Sequence, residues 1–219
     1  MRVICGIGNP GAQYAMTRHN AGFMIVDMLA TRYGLSFEKH KKWQAQVAEW
    51  RLPAELGEGR ALLLKPQTYV NESGRSLQPC MTFHKVLPAE VLVAVDDIHL
   101  PLASLRLRVN GSAGGHNGLK DIEARIGREY PRLRFGIGAP GIDQIGHVLG
   151  AFSTDERDDL QAGLSKACDC VERWLAEGPE AAMRFNGPLH PPQPQPKPAK
   201  PSATEVEAAD NQGDAIPGS

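Results

Sequence analysis

The stretch "CGIGNPG", residues 5–11, ends the first apolar run of the chain, and its reading decides the fold. Gly6, Gly8 and Gly11 stand at the G-x-G-x-x-G spacing of a dinucleotide-binding loop. Such a loop needs free backbone N–H groups at a helix start, aimed at a pyrophosphate. Pro10 has no N–H to offer. The acidic residue that should hold a ribose about 20 residues on has Asp27 as its nearest candidate, inside the helical pattern "NAGFMIVDMLATRYG". The same spacing recurs in "GIGAPG" (Gly136, Gly138, Gly141), again with a proline, Pro140. Both copies read instead as strands ending in tight turns, where glycine supplies unusual backbone angles. A strand that ends on Asn9 places a polar side chain at the carboxyl edge of a sheet, where open α/β sheets build their sites.

Working outward, apolar runs bounded by turn residues predict strands at 2–8, 45–51, 60–65, 91–96, 104–109 and 132–138. Helical spacing predicts helices between several of them. In 20–33, Phe23, Ile25, Val26, Leu29 and Tyr33 make an apolar face that stops at Gly34; in 117–128, Leu119, Ile122 and Ile126 fall together. The strongest helix, 154–177, opens with Ser153 and Glu156 at capping-box spacing and stops at Gly178–Pro179. Residues 72–86 also have a helical pattern, with Pro79 kinking the helix or marking its true start. Interleaved strands and helices predict a single three-layer α/β/α domain over residues 1–187. The alternation in "LRLRVN" makes its twisted sheet mixed. From 188 to 219 the chain turns Pro-rich, then small and acidic, and is expected to stay disordered.

Composition is that of an ordinary soluble protein, 42% hydrophobic and 22% charged over 219 residues. No apolar run reaches membrane-spanning length and the N-terminus lacks a signal-peptide layout, so a cytoplasmic protein is expected. Four cysteines lie in apolar or helical patterns without zinc spacing, which predicts reduced structural thiols and no metal. A net charge of −1 hides an uneven distribution. Between Leu102 and Arg134 seven basic residues face three acidic ones, a local charge of +4, and a second cluster is "HKKW", residues 40–43. Either is a solvated face or a phosphate-binding surface.

Asn, His and Asp gather at strand ends in "GIGNPGAQY", "TRHNAG", "PQTYVNESG", "AVDDIHLP" and "GSAGGHNGLKD". No G-x-S-x-G elbow or comparable cysteine supplies a nucleophile, and the histidines are not at metal-ligand spacing. His19 is the acid–base candidate, since an imidazole near its ordinary pKa of about 6.5 takes a proton from water near neutrality; His19 and Asn20 could equally cap the following helix. Asp96 ends the apolar strand "VLVAV" and would orient His19 if close in space; Asp96 and Asp97 also suit a turn before Pro101. The amides of Asn9, Asn71 and Asn117 suit an ester, an amide backbone or a developing oxyanion, and each suits a turn or a cap as well.

The blocks "GIGNPGAQYAMTRHNAG", "KPQTYVNESG", "VAVDDIHLP", "GSAGGHNGLKDI" and "RLRFGIGAPG" together resemble, in order, the signature blocks of bacterial peptidyl-tRNA hydrolase. The resemblance implies a monomer that cleaves the ester between a peptidyl group and the 3′-terminal ribose of tRNA, without a cofactor, a metal or a protein partner. It assigns His19 as the general base, Asp96 as its orienter and Asn9 as the group that positions the carbonyl and steadies the oxyanion. Asn71 and Asn117 would bind the peptide backbone and the 3′ end, with Tyr14, Tyr69 and His116 lining the site. Arg108 and Arg134 would clamp the tRNA 5′-phosphate. Four departures stand out: Val70 in place of the usual methionine, Pro79 inside a helix, no lysine near Gln144, and the Pro-rich tail, which lies outside the family pattern. The alternative is a non-catalytic RNA-binding protein on the same scaffold, like the family's plastid splicing-factor relatives, in which nothing would require His19, Asp96 and the three asparagines together.

Overall fold

The structure, a computed structural model, describes residues 1–190. Seven strands form one sheet: β1 (Arg2–Gly6), β2 (Glu38–His40), β3 (Ala45–Arg51), β4 (Arg60–Pro66), β5 (Val91–Asp97), β6 (Leu105–Arg108) and β7 (Arg132–Gly136). Their order is β2-β3-β4-β1-β5-β7-β6. The central four, β4-β1-β5-β7, are parallel, and the flanking pairings are antiparallel. The sheet is therefore mixed, as the "LRLRVN" alternation of β6 implies. Among the described residues six α-helices accompany it: α1 (Ala21–Arg32), α2 (Gly74–His84), α3 (Asn117–Ile126), α4 (Gln144–Leu149), α5 (Arg157–Glu177) and α6 (Pro179–Ala182).

The central strands read as unbroken apolar runs because both faces are covered. Ile4, Leu63, Leu92 and Leu133 share one core with Ile25 and Leu29 of α1 and Leu164, Val171 and Trp174 of α5. Val3, Cys5, Leu62, Leu64 and Val93 share the other with Leu77 of α2 and Leu119 and Ile122 of α3. All four cysteines are free and buried, and burial pushes the thiols of Cys80, Cys168 and Cys170 up to about 12. None is a nucleophile near neutrality. Among the described residues no helix is long and apolar enough to cross a membrane.

The glycines of the opening stretch have a different task from the one expected. Gly6 and Gly8 do not adopt positive φ; only Gly11 does, at 112°. A Cβ on Gly6 would collide with the Gly22 carbonyl, and one on Gly22 with the backbones of Ile7 and Ala94. The first turn of α1 therefore lies backbone to backbone on the carboxyl ends of β1 and β5. No α-helix starts at the glycine loop itself, which passes through a 3-10 turn at Ala12–Tyr14.

Three further differences have local causes. Helix α2 starts at Gly74 and runs through Pro79, so the proline does not mark its start. Three elements escape the periodic pattern because they are short: β2 has three residues, α4 six and α6 four. The Leu102–Arg134 segment is not one basic face. Arg132 is 1% exposed, bound to Glu123 at 2.8 Å and 4.1 Å from the Tyr130 ring centre. Residues 186–187 cover part of the β6 edge through paired Leu105–Gly187 backbone bonds. The Pro-rich segment beyond His190, on which the expectation of disorder falls, lies outside the described residues.

Candidate active site

The site forms at the carboxyl edge of β1 and β5, where α1 is seated. His19 lies in the 3-10 turn Arg18–Asn20 that leads into α1, and Asp96 lies near the end of β5. His19 Nδ1 is 2.9 Å from Asp96 Oδ1, and the same oxygen is 3.0 Å from His116 Nε2. The backbone N–H of Leu119 donates to His116 Nδ1 at 3.3 Å. With Nδ1 an acceptor, a neutral His116 carries its proton on Nε2 and donates it to Asp96. His19 Nδ1–H then donates to that carboxylate too, which leaves His19 Nε2 with a free lone pair.

Electrostatics follow from this arrangement. Burial works against the ionised form of Asp96, yet the hydrogen bonds and charges of His116 and His19 hold its carboxyl well below the usual range. For His19, burial alone would lower the pKa from 6.5. The hydrogen bond and negative charge of Asp96 outweigh it and raise the value. The donor atoms of His19, Asp96 and His116 lie within 4.8 Å of one another, the spacing of a possible metal group.

Asn9 is held from three sides. Asn20 Oδ1 accepts from the Asn9 N–H at 2.8 Å, and Asn20 Nδ2 donates to the Asn9 carbonyl at 3.0 Å. The Val70 N–H donates to Asn9 Oδ1 at 3.1 Å. The amide orientation is thereby fixed, and Nδ2 remains a free donor among the described residues. Asn20 does not cap α1 with its side chain; it clamps Asn9 instead.

Two adjoining clefts surround this centre. One, of about 360 Å³, is lined by His19, Asp96, His116, Asn117 and Arg134, with Gln144 and Ile145 of α4. The other, of about 340 Å³, brings together Asn9, His19, Tyr69, Val70, Asn71 and Asn117, walled by Ile145, Val148 and Leu149. Neither contains a serine, threonine or cysteine. Asn71 and Asn117 are exposed, and Asn117 Oδ1 accepts from Lys120 Nζ at 3.3 Å. Tyr14, in the 3-10 turn Ala12–Tyr14, lines neither cleft.

The two adjacent aspartates divide their duties. Asp97 accepts from the His99 N–H at 2.8 Å, a turn contact, and from Arg134 at 3.1 Å. Arg134 also donates to the Ser112 and Ala113 carbonyls, both at 3.0 Å, and so pins the loop that leads to His116. Arg108 is exposed, with no ion pair among the described residues. Arg106, which sequence reasoning counted only as charge, is the direct cross-strand partner of Arg134. That pairing follows from strand register, which periodicity does not reveal. Arg18, beside His19, makes a two-pronged bond to Glu156 at 2.9 and 2.7 Å, and draws that carboxyl down to about 2.

Comparisons with known proteins identify the family. The model of the family described as peptidyl-tRNA hydrolase matches residues 3–193. A peptidyl-tRNA hydrolase of Synechococcus sp. (strain JA-3-3Ab) is 46% identical over 213 residues, covering 93% of this chain and 92% of its own. That of Symbiobacterium thermophilum is 46% identical, covering 84% and 98%. The crystal structure of an Arg119Gln mutant of peptidyl-tRNA hydrolase from Acinetobacter baumannii superposes with a TM-score of 0.79. It is 37% identical and covers 86% of this chain and 95% of that one. Fold, site and sequence lead to one conclusion: the chain belongs to the peptidyl-tRNA hydrolase family.

Proposed function

We propose that the protein hydrolyses the ester between a peptidyl, or N-blocked aminoacyl, group and the 3′-terminal ribose of tRNA, with water as the nucleophile. The observation that carries this reading is the His19–Asp96 pair at 2.9 Å, in clefts lined by no serine, threonine or cysteine. His19 Nε2 takes a proton from water as the oxygen attacks the ester carbonyl. Asp96 steadies the imidazolium that forms, and Asn9 Nδ2 donates to the developing oxyanion. The tetrahedral intermediate collapses, the ribose oxygen leaves with the proton from His19, and a free peptide and tRNA result.

Around this centre Asn71 and Asn117 bind the peptide backbone and the 3′-terminal region, and Tyr69 and His116 flank them. Val70, Ile145, Val148 and Leu149 give one cleft an apolar wall. An unblocked α-ammonium would lose its water against that wall, which favours N-blocked substrates. Arg108, with Arg134 beside the cleft, holds the 5′-phosphate. The protein acts as a monomer in the cytoplasm, where translation generates its substrate.

The test is release of tRNA from N-blocked aminoacyl-tRNA, plain aminoacyl-tRNA and a simple ester. The reading expects rapid release only from the first. Equal rates on the simple ester would make the protein a general esterase, and no release from any would leave an RNA-binding protein on a hydrolase scaffold.

A further inference from the structure

We propose that the flank formed by residues 39–43 and the C-terminal end of α2 is a second RNA-contacting surface. It takes a single-stranded stretch with a base stacked on Phe83 and phosphates against Lys41, Lys42 and Lys85. Two segments some forty residues apart in sequence, "KHKKW" and "FHK", meet here. His40 stacks on Trp43, with ring centres 3.6 Å apart and planes at 18°. Trp43 in turn lies 5.6 Å from Phe83 and 5.4 Å from His84. Phe83 and His84 meet edge to face at 4.8 Å and 89°.

The rings differ in what they are available for. Trp43 is buried and belongs to the core beneath α2, so the platform has a fixed base. Phe83 is 71% exposed and belongs to neither core. Burial and the nearby charge of Arg60 lower the pKa of His84, so its ring is neutral near pH 7. The positive charge therefore comes from lysines. Lys39, Lys41, Lys42 and Lys85 are exposed and form no ion pair among the described residues. Across 38–43 and 83–85 the one acidic residue is Glu38.

An exposed ring among unpaired lysines suits nucleic acid better than protein. Protein interfaces are depleted of lysine, whereas single-stranded nucleic acids combine base stacking on aromatic rings with a basic track for the backbone. No residue of this flank lines the clefts around His19, so the surface is separate from the hydrolytic site.

Fluorescence anisotropy of the full chain with a short 5′-hydroxyl oligouridylate, over a range of salt, tests the proposal. Phe83→Ala is expected to weaken binding about tenfold, the scale of one lost stacking contact, and Phe83→Trp to restore it. Lys41→Gln/Lys42→Gln is expected to flatten the log–log salt slope by about one to one and a half. Arg108→Ala should bind this oligonucleotide as the wild type does, because the probe carries no 5′-phosphate. Turnover of a minimal 3′-terminal ester substrate should be unchanged in the Phe83 and lysine variants. The proposal is overturned if the wild type does not bind the probe, if these variants bind it normally, or if Arg108→Ala alone abolishes binding. It is also overturned if the variants lose turnover on the minimal substrate in parallel with RNA binding.

Discussion

Asn20 grips the backbone of Asn9 at both ends, accepting from its N–H at 2.8 Å and donating to its carbonyl at 3.0 Å. Both residues are buried, so this pair of bonds has no water to replace it. Asn9 Oδ1 is meanwhile taken by the Val70 N–H, which leaves Nδ2 as the free donor. The turn bearing His19 and the loop bearing Asn9 are thus joined at the point where the ester would react.

Asn20→Ala should therefore behave as a positioning variant. Two buried backbone groups lose their partners, which costs about 1–3 kcal/mol for each left unsatisfied. Turnover should fall with little change in KM, because the oxyanion donor is misplaced while the binding walls remain. Denaturant melts and steady-state kinetics check both parts; an unchanged kcat in a destabilised variant would make Asn20 purely structural.

Removal of the base should have a larger effect. General-base catalysis contributes roughly 10²–10⁴-fold, so His19→Ala should lower kcat by at least about two orders of magnitude while the fold persists. Asp96→Asn should also impair turnover, since the imidazolium loses its anionic partner. Near-normal kcat in both variants would remove the pair from the mechanism.

The pH dependence follows from the direction of the His19 shift. His19 acts only when neutral and its pKa lies above 6.5, so kcat/KM should rise with pH through a limb placed above that value. In His116→Ala, Asp96 loses its second donor and its charge acts on His19 alone. The limb should then move to higher pH. Since the folded pKa of His19 is raised, protonated His19 adds stability that is complete below about 6.5 and is lost as pH rises through the folded value. A pH–rate profile of the variant that superposes on that of the wild type would show that His116 does not tune the base.

The two candidate phosphate-clamp arginines should separate on mutation. Arg108 is exposed, so Arg108→Ala should raise KM for full-length substrate, flatten its salt dependence and spare a minimal 3′-terminal substrate. Arg134 also pins Asp97 and the 112–113 carbonyls. Arg134→Ala should therefore slow both substrates through the loop that carries His116 and Asn117. Identical behaviour of the two variants would contradict this division.

Glu156→Gln tests the support beneath His19. Loss of the charged bond to Arg18 should destabilise the protein by about 1–2 kcal/mol near neutral pH. Because the folded pKa of Glu156 is depressed to about 2, its contribution is complete above 4.5 and fades as pH falls through the folded value. Urea melts of variant and wild type should converge toward that acidic limit.

Much of this arrangement could be read from the sequence, for identifiable reasons. The buried strands appear as continuous apolar runs because helices cover both faces, and Ser153 with Glu156 marks the entry to α5 through a bond seen at 2.7 Å. His19 and Asp96 stand out as polar residues beside apolar elements. What stayed hidden depends on long-range register or close packing. Asn20 looks like a helix cap until its partner eleven residues away is known. Arg132 looks like surface charge until Glu123 and Tyr130 enclose it. Gly6 looks like a turn residue because sequence carries no sign of the helix that lands on it. Helix α4 has only six residues, too few for a period to emerge.

The bare contact between Gly6 and Gly22 has a mechanical consequence. With no side chain between helix and sheet, there is no compressible layer at that point, so any slide of α1 must carry the Arg18–Asn20 turn and its imidazole with it. The chemical half of the site is in effect bolted to the sheet. The opposite wall, built from the side chains of Ile145, Val148 and Leu149 on a single short helix, is tied by hydrogen bonds instead: His147 Nε2 to the Ile137 and Gly138 carbonyls, and the Arg18 N–H to the Gly150 carbonyl just beyond it. Substitutions that reshape it can change which peptides are admitted while the distance from His19 to Asp96 stays the same.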